Sequence, residues 1–440
     1  MVGNIREGNM KFLVIGSGGR EHAIVWKLAQ SKKINKIYCA TGNAGIAKQS
    51  EIVNIKVDDF ESLAKFALEN KIDYTFVGPE VPLALGITDF FNSKGLKIFG
   101  PSKKGAMLEA SKTFAKDFMK KYGVPTAEYR TFTDFASAEK FLKEEWEENK
   151  KVVVKADGLA AGKGVIMCQN RADALVALKE IMQDKSFGSA GDKIIFEQWL
   201  EGQETSVLVF VDGKHFSIMP AAQDHKRVGD GDTGLNTGGM GAYAPAPVAT
   251  KELLNKVKNE IMPNIINGLQ KENIDYKGIL YIGFMVDNGN PYVLEFNCRF
   301  GDPETQVILP LLETDLADIV EHTVSGTLDE VDIKWSGKSA VCVVLASGGY
   351  PEKYEKNLPI SGLENVKEEE AIVFHAGTKK ADDGNVLTSG GRVLVVTSLA
   401  DDIKSAIDKV YAVLPKIKFD KMHYRKDIAQ RALKWINKQK

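Results

Sequence analysis

The residues most open to a chemical reading lie in Pro291–Phe300, PYVLEFNCRF. Side chains of an extended strand alternate between faces, so Val293, Glu295, Asn297 and Arg299 are expected on one face and Tyr292, Leu294, Phe296 and Cys298 on the other. A carboxylate and an amide oxygen two residues apart suit a hard divalent cation, which takes few protein oxygens and completes its shell with phosphate and water. Arg299 on that face can meet a phosphate or carboxylate through two parallel hydrogen bonds. By itself the alternation supports only a polar strand face turned to water. The loop that follows, Phe300-Gly301-Asp302-Pro303-Glu304-Thr305-Gln306, is dense in polar groups that no packing rule requires.

Two glycine-rich loops invite an anion. Gly16-Ser17-Gly18-Gly19-Arg20 follows an apolar run and precedes helical text, so backbone N–H groups at a helix start would favour a phosphate; the alternative is a tight turn that needs glycine. The dinucleotide fingerprint fails here, because Glu21 stands at the third glycine and the second strand ends in Cys39-Ala40-Thr41 rather than in an acid. The second loop, Lys155-Ala156-Asp157-Gly158-Leu159-Ala160-Ala161-Gly162-Lys163-Gly164, is not a phosphate-binding P-loop either: three residues separate Gly158 from Gly162, and Gly164 replaces the Ser or Thr. It leads into a strand, which is the geometry of a flap over a triphosphate, with lysines countering its charge. Two further stretches, Gln223-Asp224-His225-Lys226-Arg227 and Asn236-Thr237-Gly238-Gly239-Met240-Gly241, read either as ligand-wrapping loops or as ordinary surface.

The elements that must position these groups fall into blocks. Strands at Lys11–Ile15, Ile37–Ala40, Tyr74–Val77 and Lys97–Phe99 alternate with helical text at Glu21–Ala29, Phe60–Glu69 and Leu83–Ser93, the pattern of a parallel doubly wound sheet. A helix over Ala110–Tyr122 follows. Next comes a smaller α+β block, with helices Phe135–Trp146 and Ala172–Met182 and strands Val152–Lys155, Gly164–Cys168 and Lys193–Glu197. Leu280–Val286 and Tyr292–Asn297 form a hairpin around Asp287-Asn288-Gly289-Asn290. The last hundred residues are β-rich and close with two helices.

The chain of 440 residues is too long for one core. A formal charge of −1 gives no electrostatic footprint for nucleic acid or an anionic membrane. The four cysteines, Cys39, Cys168, Cys298 and Cys342, form no metal-binding or disulfide pattern and fit a reducing compartment. No apolar run approaches the roughly 20 residues of a membrane span. The opening MVGNIREGNM lacks the apolar core of a secretory signal and reads as a disordered extension.

Assembled, these stretches resemble the ATP-grasp superfamily, and within it the phosphoribosylamine–glycine ligase family. The resemblance runs from Met10 to the C-terminus through VIGSGGREHA (14–23), VGPEVPLALGI (77–87), VKADGLAAGKGV (154–165), QDHKRVGDGDTGLNTGGMGAYAPAP (223–247), LEFNCRFGDPETQ (294–306) and FHAGT (374–378). It implies a multidomain chain of α/β and α+β units. These are a Rossmann-like domain (10–111), an ATP-grasp body (112–130 and 199–334), a mobile lid (131–198) and a small β-rich C-terminal domain (335–440). The implied reaction joins glycine to 5-phosphoribosylamine with ATP and Mg2+ or Mn2+, through glycyl phosphate, giving glycinamide ribonucleotide, ADP and phosphate. No covalent enzyme nucleophile is needed.

Carried over by motif, the resemblance implies that Lys112 and Lys155, with Gly162, Lys163 and Gly164, meet the phosphates of ATP. Glu197 and the Leu200 backbone would hold adenine, Glu204 the ribose hydroxyls, and Glu295 with Asn297 the metal. Lys155, Asp224 and Arg299 are expected in catalysis. Gly16, Ser17, Gly18, Gly19, Arg20, Lys226, Arg299 and Asp302 are expected to hold substrates, with the first loop on the ribose 5-phosphate. One departure stands out: Gly283 occupies the place where many ATP-grasp enzymes carry a further metal-binding acid. A cytoplasmic monomer acting on small molecules, without nucleic acid or membrane partners, is expected. A different ATP-grasp ligase or carboxylase is the main rival. A nicotinamide-dependent oxidoreductase is disfavoured by Glu21, and a non-catalytic nucleotide-binding protein by the presence of Lys155, Glu295 and Asn297.

Overall fold

The structure is a computed structural model and describes residues 8–158 and 164–439. The opening extension expected from the sequence therefore lies largely outside the described residues.

Strands Met10–Gly16, Ile34–Thr41, Glu51–Ile52, Tyr74–Val77 and Ile98–Phe99 form a five-stranded parallel sheet with Met10–Gly16 at its centre. Successive residues of that central strand feed opposite cores: Phe12 and Val14 join one cluster, Leu13 and Ile15 another. Burial on both faces is why the run reads as continuously apolar. The helical text expected over Leu83–Ser93 is split into Glu80–Leu85 and Ile87–Ser93, because Gly86 adopts φ +99°.

A second, antiparallel sheet has the order Tyr129–Phe132, Ile194–Gln198, Val152–Ala156, Val165–Cys168. Helices Phe135–Glu144 and Arg171–Met182 cover one face through Ala138, Leu142, Val152, Val154, Ala174, Leu178 and Phe196. The opposite face carries Lys155 and Glu197.

A third sheet has the order Phe216–Ile218, Gln203–Val211, Gly278–Asp287, Asn290–Asn297. Its last two strands form the expected hairpin, turning at Asn288 (φ +48°) and Gly289 (φ +76°). Two consecutive residues with positive φ match the twist of the flanking strands. Phe300, just beyond the hairpin, stacks on Phe76 of the parallel sheet at 6.1 Å between ring centres and meets Phe210 edge-on at 6.2 Å. The hairpin is thus fixed to the amino-terminal unit through its own exit.

The fourth sheet crosses the sequence blocks. Ser339–Ala346, Arg392–Ala400 and Ile372–His375 are extended on the other side by Gly241–Ala244 and Gln223–Asp224. Segments 199–334 and 335–440 therefore share a sheet, and one apolar core runs through both. Among the described residues no helix is long and apolar enough to cross a membrane.

Candidate active site

The strand Asn290–Asn297 departs from strict alternation at one point. Gly283 pairs with Glu295 and Phe284 with Val293, leaving Leu294 as a β-bulge. Val293 is consequently buried in the same core as Phe296 and Cys298, not on the face with Glu295 as alternation predicts. From Glu295 onward the expected alternation holds. Ser206, Gly283 and Glu295 lie in register across three strands, and Tyr281 is paired with Asn297. Gly283 is thus the cross-strand neighbour of Glu295, and a Cβ there would stand 3.3 Å from the Glu295 Cγ. The glycine leaves Glu295 room and supplies no further ligand.

Glu295 makes no hydrogen bond or ion pair among the described residues, while the Asn297 Oδ1 accepts from the Arg299 Nη2 at 3.1 Å. Arg299 is held by two carboxylates, its Nη2 2.8 Å from Glu109 and its Nε 3.4 Å from Glu80. Burial opposes its charge, but Glu109 and Glu80 outweigh it and hold the guanidinium above its ordinary pKa. Glu109 also accepts the Cys298 N–H at 2.7 Å, so it fixes the strand end twice over.

Facing this strand is the polar side of the second sheet. Lys155 and Glu197 share a face of adjacent strands and form an ion pair; Lys116, from helix Lys112–Lys121, pairs with the same carboxylate. Lys155 also donates to the carbonyl of the bulged Leu294 at 3.4 Å. Burial pulls Lys116 down to about 8 although Glu197 opposes this, and burial likewise lowers Lys112. Lys112 donates to the Gly158 carbonyl at 2.9 Å. Asp157 accepts from the Thr113 N–H at 2.9 Å and from the Ser111 hydroxyl at 3.1 Å. A carboxylate at the start of helix Lys112–Lys121 is favoured by the helix dipole, and it pins the root of the glycine loop. Gly162 and Lys163 lie outside the described residues; Gly164 closes the loop, its carbonyl accepting from Ala156 N–H at 2.8 Å. Leu200 follows strand Ile194–Gln198 and is half-buried. Glu204 pairs with Lys226 at 2.9 Å, which places Lys226 on this side of the site.

Asp224 is half-buried in the same region, and its carboxylate has no hydrogen bond or ion pair among the described residues. Beside it, Glu304 is buried, accepting from the Tyr281 hydroxyl at 3.0 Å and the Ser206 hydroxyl at 3.5 Å.

An adjoining cleft of about 350 Å³ opens at the glycine loop, lined by Ser17, Gly18, Gly19, Asn43, Asp302 and Arg392 with Gly377 and Thr378 of the FHAGT stretch. Helix Gly19–Leu28 begins here, with Gly18 as its cap. The Gly18 N–H donates to the Glu21 carboxylate at 2.5 Å. That carboxylate fills the space between the loops: a Cβ on Gly78 would lie 2.1 Å from the Glu21 Oε1. This is why an acid stands at the third glycine of the apparent fingerprint. Arg20 is turned away from the cleft, pairing with Glu21 at 2.5 Å and donating to the Phe300 carbonyl at 3.2 Å. Gly16 leads into the loop with φ +125°. Asn43 ties the walls together, donating to the Ser17 and His375 carbonyls, each at 2.8 Å. Arg392 approaches Asp302 at 3.3 Å and donates to its carbonyl at 2.8 Å.

The structure therefore brings Lys112, Lys155, Glu197, Glu204, Asp224, Lys226, Glu295, Asn297 and Arg299 to one region, and Ser17, Gly18, Gly19 and Asp302 to the adjoining cleft. Sequence reasoning missed Lys116, Glu80, Glu109, Asn43, Glu304 and Arg392. Glu80 and Glu304 lie inside the VGPEVPLALGI and LEFNCRFGDPETQ stretches, and Arg392 follows a Gly-Gly pair, but nothing in the sequence places Arg392 against Asp302. A further acidic group, Asp212, His215 and Asp329, lies at the opposite end of strand Gln203–Val211 from Glu204. There Asp212 accepts three backbone N–H groups, those of Lys214, His215 and Leu328. It serves the turn.

Comparison with known proteins places these features. Residues 10–109 match the N domain of phosphoribosylglycinamide synthetase, 110–305 its ATP-grasp (A) domain and 340–431 its C domain. The chain is 52% identical over 420 residues to a phosphoribosylamine–glycine ligase of Caldanaerobacter subterraneus subsp. tengcongensis, covering 96% of this chain and 99% of that one. It is 49% identical over 425 residues to the protein of the same name from Neisseria meningitidis serogroup B, covering 96% and 100%. The crystal structure of phosphoribosylamine–glycine ligase from Thermotoga maritima superposes with a TM-score of 0.82 at 32% identity, covering 95% of this chain and 100% of that one. The biotin carboxylase domain of the Hydrogenobacter thermophilus 2-oxoglutarate carboxylase shares the fold alone, with a TM-score of 0.71 at 18% identity over 94% and 91% of the two chains. The chain belongs to the phosphoribosylglycinamide synthetase family of ATP-grasp ligases.

Proposed function

We propose that this protein joins glycine to 5-phosphoribosylamine at the expense of ATP, releasing glycinamide ribonucleotide, ADP and phosphate in purine biosynthesis. The observation that carries this reading is the continuity of the site. Phosphate-countering lysines (Lys112, Lys155) face the Glu295–Asn297 strand, and the cleft with Arg392 and the first-loop amides opens beyond the Asp302 loop.

A carboxylate is a poor electrophile, so glycine must first be activated. Its carboxylate oxygen attacks the γ-phosphorus of ATP, ADP leaves, and glycyl phosphate forms. Lys112 and Lys155 offset the negative charge of the phosphates, which is catalysis by positioning and electrostatics. Gly162, Lys163 and Gly164 complete the phosphate-covering loop, Glu197 and the Leu200 backbone hold adenine, and Glu204 takes the ribose hydroxyls. Glu295, unpartnered among the described residues, and Asn297, oriented by Arg299, are hard oxygen donors that fit a divalent cation. That cation, read here as Mg2+ or Mn2+, supplies charge neutralisation on the transferring phosphoryl when bound.

The ribosylamine is held with its 5-phosphate on the Ser17–Gly19 loop and Arg392, and its hydroxyls toward Asp302. Arg299 faces the anionic group of the reacting substrate, and Lys226 supports Glu204. The substrates are small molecules; a monomer working in the cytoplasm completes the proposal. Mass spectrometry of the product made from 13C-glycine tests it: label in glycinamide ribonucleotide supports the reading, and label only in unreacted glycine opposes it.

A further inference from the structure

The cleft at the glycine loop has walls from opposite ends of the chain. Ser17, Gly18 and Gly19 belong to the amino-terminal unit, whereas Gly377, Thr378 and Arg392 belong to the C-terminal one. A phosphate group is gripped between them only if the two units keep a fixed spacing. Charge-assisted hydrogen bonds hold their strength over a narrow span of distance, about 2.7–2.9 Å for a nitrogen donor.

One side chain makes the main tie. The Asn43 Nδ2 donates to the Ser17 carbonyl on one wall and to the His375 carbonyl on the other, each at 2.8 Å. Its Oδ1 accepts the N–H groups of Gly45 and Ile46, at 2.9 and 3.0 Å. A primary amide has two N–H groups and an oxygen with two lone pairs, so every hydrogen-bonding place of Asn43 is used. Asn43 lines the cleft, yet its amide has nothing left to offer a ligand.

The far end of the tie leads straight to Arg392. Strand Ile372–His375 is paired along Arg392–Ala400. Just beyond it, the Ala376 and Gly377 N–H groups donate to the Val393 and Arg392 carbonyls, each at 2.9 Å. A second tie runs beside the first, from the His375 N–H to the His22 Nδ1 at 2.7 Å. Gly45 is wedged between the two imidazoles, where a Cβ would stand 2.3 Å from the His22 Cε1 and 2.5 Å from the His375 Cδ2.

We infer that Asn43 is a positioning residue for the phosphorylated substrate. Its amide sets the spacing between the glycine loop and the strand that carries Arg392, and it acts through their backbones without meeting the substrate itself. This rests on the reading of the cleft as the 5-phosphate site. The Arg392 head is steadied by the Gly238 and Asp302 carbonyls, at 2.6 and 2.8 Å, while Asn43 steadies the strand it comes from.

Kinetics of the full-length protein separate a positioning role from a merely structural one, which would disturb every substrate alike. Asn43→Ser removes the donors and keeps an oxygen for the Gly45 and Ile46 N–H groups. It is expected to raise the KM for 5-phosphoribosylamine about 10- to 100-fold, the scale of a misplacement of about 1 Å, with the KM values for ATP and glycine within about two-fold of wild type. The affinity for ribose 5-phosphate, measured by calorimetry, should weaken in step. On an Arg392→Ala background the same substitution should add no more than about three-fold, because residues that act through one another do not add. His22→Leu breaks the second tie from outside the cleft and should raise the same KM in smaller measure, which keeps the inference testable if Asn43→Ser does not fold. His22→Asn, whose amide oxygen can take the His375 N–H, should recover part of that rise.

An unchanged KM for phosphoribosylamine in Asn43→Ser or in His22→Leu, an equal rise in all three KM values, or full additivity with Arg392→Ala would each overturn the inference. Arg392→Ala that leaves ribose 5-phosphate affinity unchanged would instead overturn the reading of the cleft, and this inference with it.

Discussion

Lys155 and Glu197 are buried together on one face of the small antiparallel sheet, and Glu197 shares its charge with Lys116 from a neighbouring helix. The carboxylate is therefore both an expected adenine contact and the counter-charge for two buried ammonium groups. Glu197→Gln should be costly in stability, because breaking a buried pair leaves charge uncompensated at about 3 kcal/mol or more. A lowered thermal midpoint checks this. Lys116→Met added to Glu197→Gln should restore part of the loss by removing one stranded charge; an unchanged midpoint in Glu197→Gln would oppose the reading.

Glu295 and Asn297 are the expected metal donors, and Gly283 offers no substitute across the hairpin. Glu295→Gln should keep the fold, since Glu295 makes no hydrogen bond or ion pair among the described residues and lends its charge only at a distance to neighbours such as Lys112. It should raise the Mg2+ concentration for half-maximal activity by roughly ten-fold or more, the scale seen when a metal's supporting ligands are lost. Activity titrated against Mg2+ reads the effect, and an unshifted curve would remove Glu295 from the metal site.

Arg392 belongs to the C-terminal sheet yet lines the cleft of the amino-terminal glycine loop. Its loss should weaken the phosphorylated substrate alone. Arg392→Ala is expected to raise the KM for phosphoribosylamine by about 10- to 100-fold, the scale of a charge-assisted contact of about 1.5–3 kcal/mol. The KM values for ATP and glycine should stay near wild type, and a uniform change in all three would contradict the assignment.

His22 and His375 join the first and last units of the chain. The His375 N–H donates to the His22 Nδ1 at 2.7 Å, which only a neutral His22 can accept. Burial, then the neighbouring His375 and Lys48, pull His22 down to about 3; burial and Lys48 pull His375 down to about 4. The unfolded chain takes up these protons near 6.5, so between there and the folded values it binds more protons than the folded chain. Stability should be unaffected above about pH 7 and fall as pH drops below about 6.5, with each histidine contributing up to about 1.4 kcal/mol per pH unit. Urea midpoints at several pH values measure the slope. His375→Gln should shallow it, and a flat profile between pH 7 and 5 would contradict the argument.

Much of this architecture is legible in the sequence itself. The doubly wound unit follows from apolar runs punctuated by glycine, and the hairpin from Asn288-Gly289, because those signals are local. The bulge at Leu294 was not readable: period-two alternation carries no mark of an inserted residue, and the only hint was an apolar Val293 on a supposedly polar face. The partners of Arg299 and the approach of Arg392 to Asp302 were equally hidden. Such contacts depend on how distant segments pack, and no short-range pattern encodes them. Arg20 illustrates the same limit, since its place beside the loop suggested a ligand contact whereas its guanidinium turns inward to Glu21 and Phe300.

The central claim is tested most directly by coupled ADP release from the purified protein with ATP, Mg2+, glycine and freshly prepared 5-phosphoribosylamine, each substrate omitted in turn. The account predicts steady ADP release only when both glycine and the ribosylamine are present, with one glycinamide ribonucleotide formed per ADP. Folded protein that releases no ADP with the full set, or releases it equally without glycine, would contradict it.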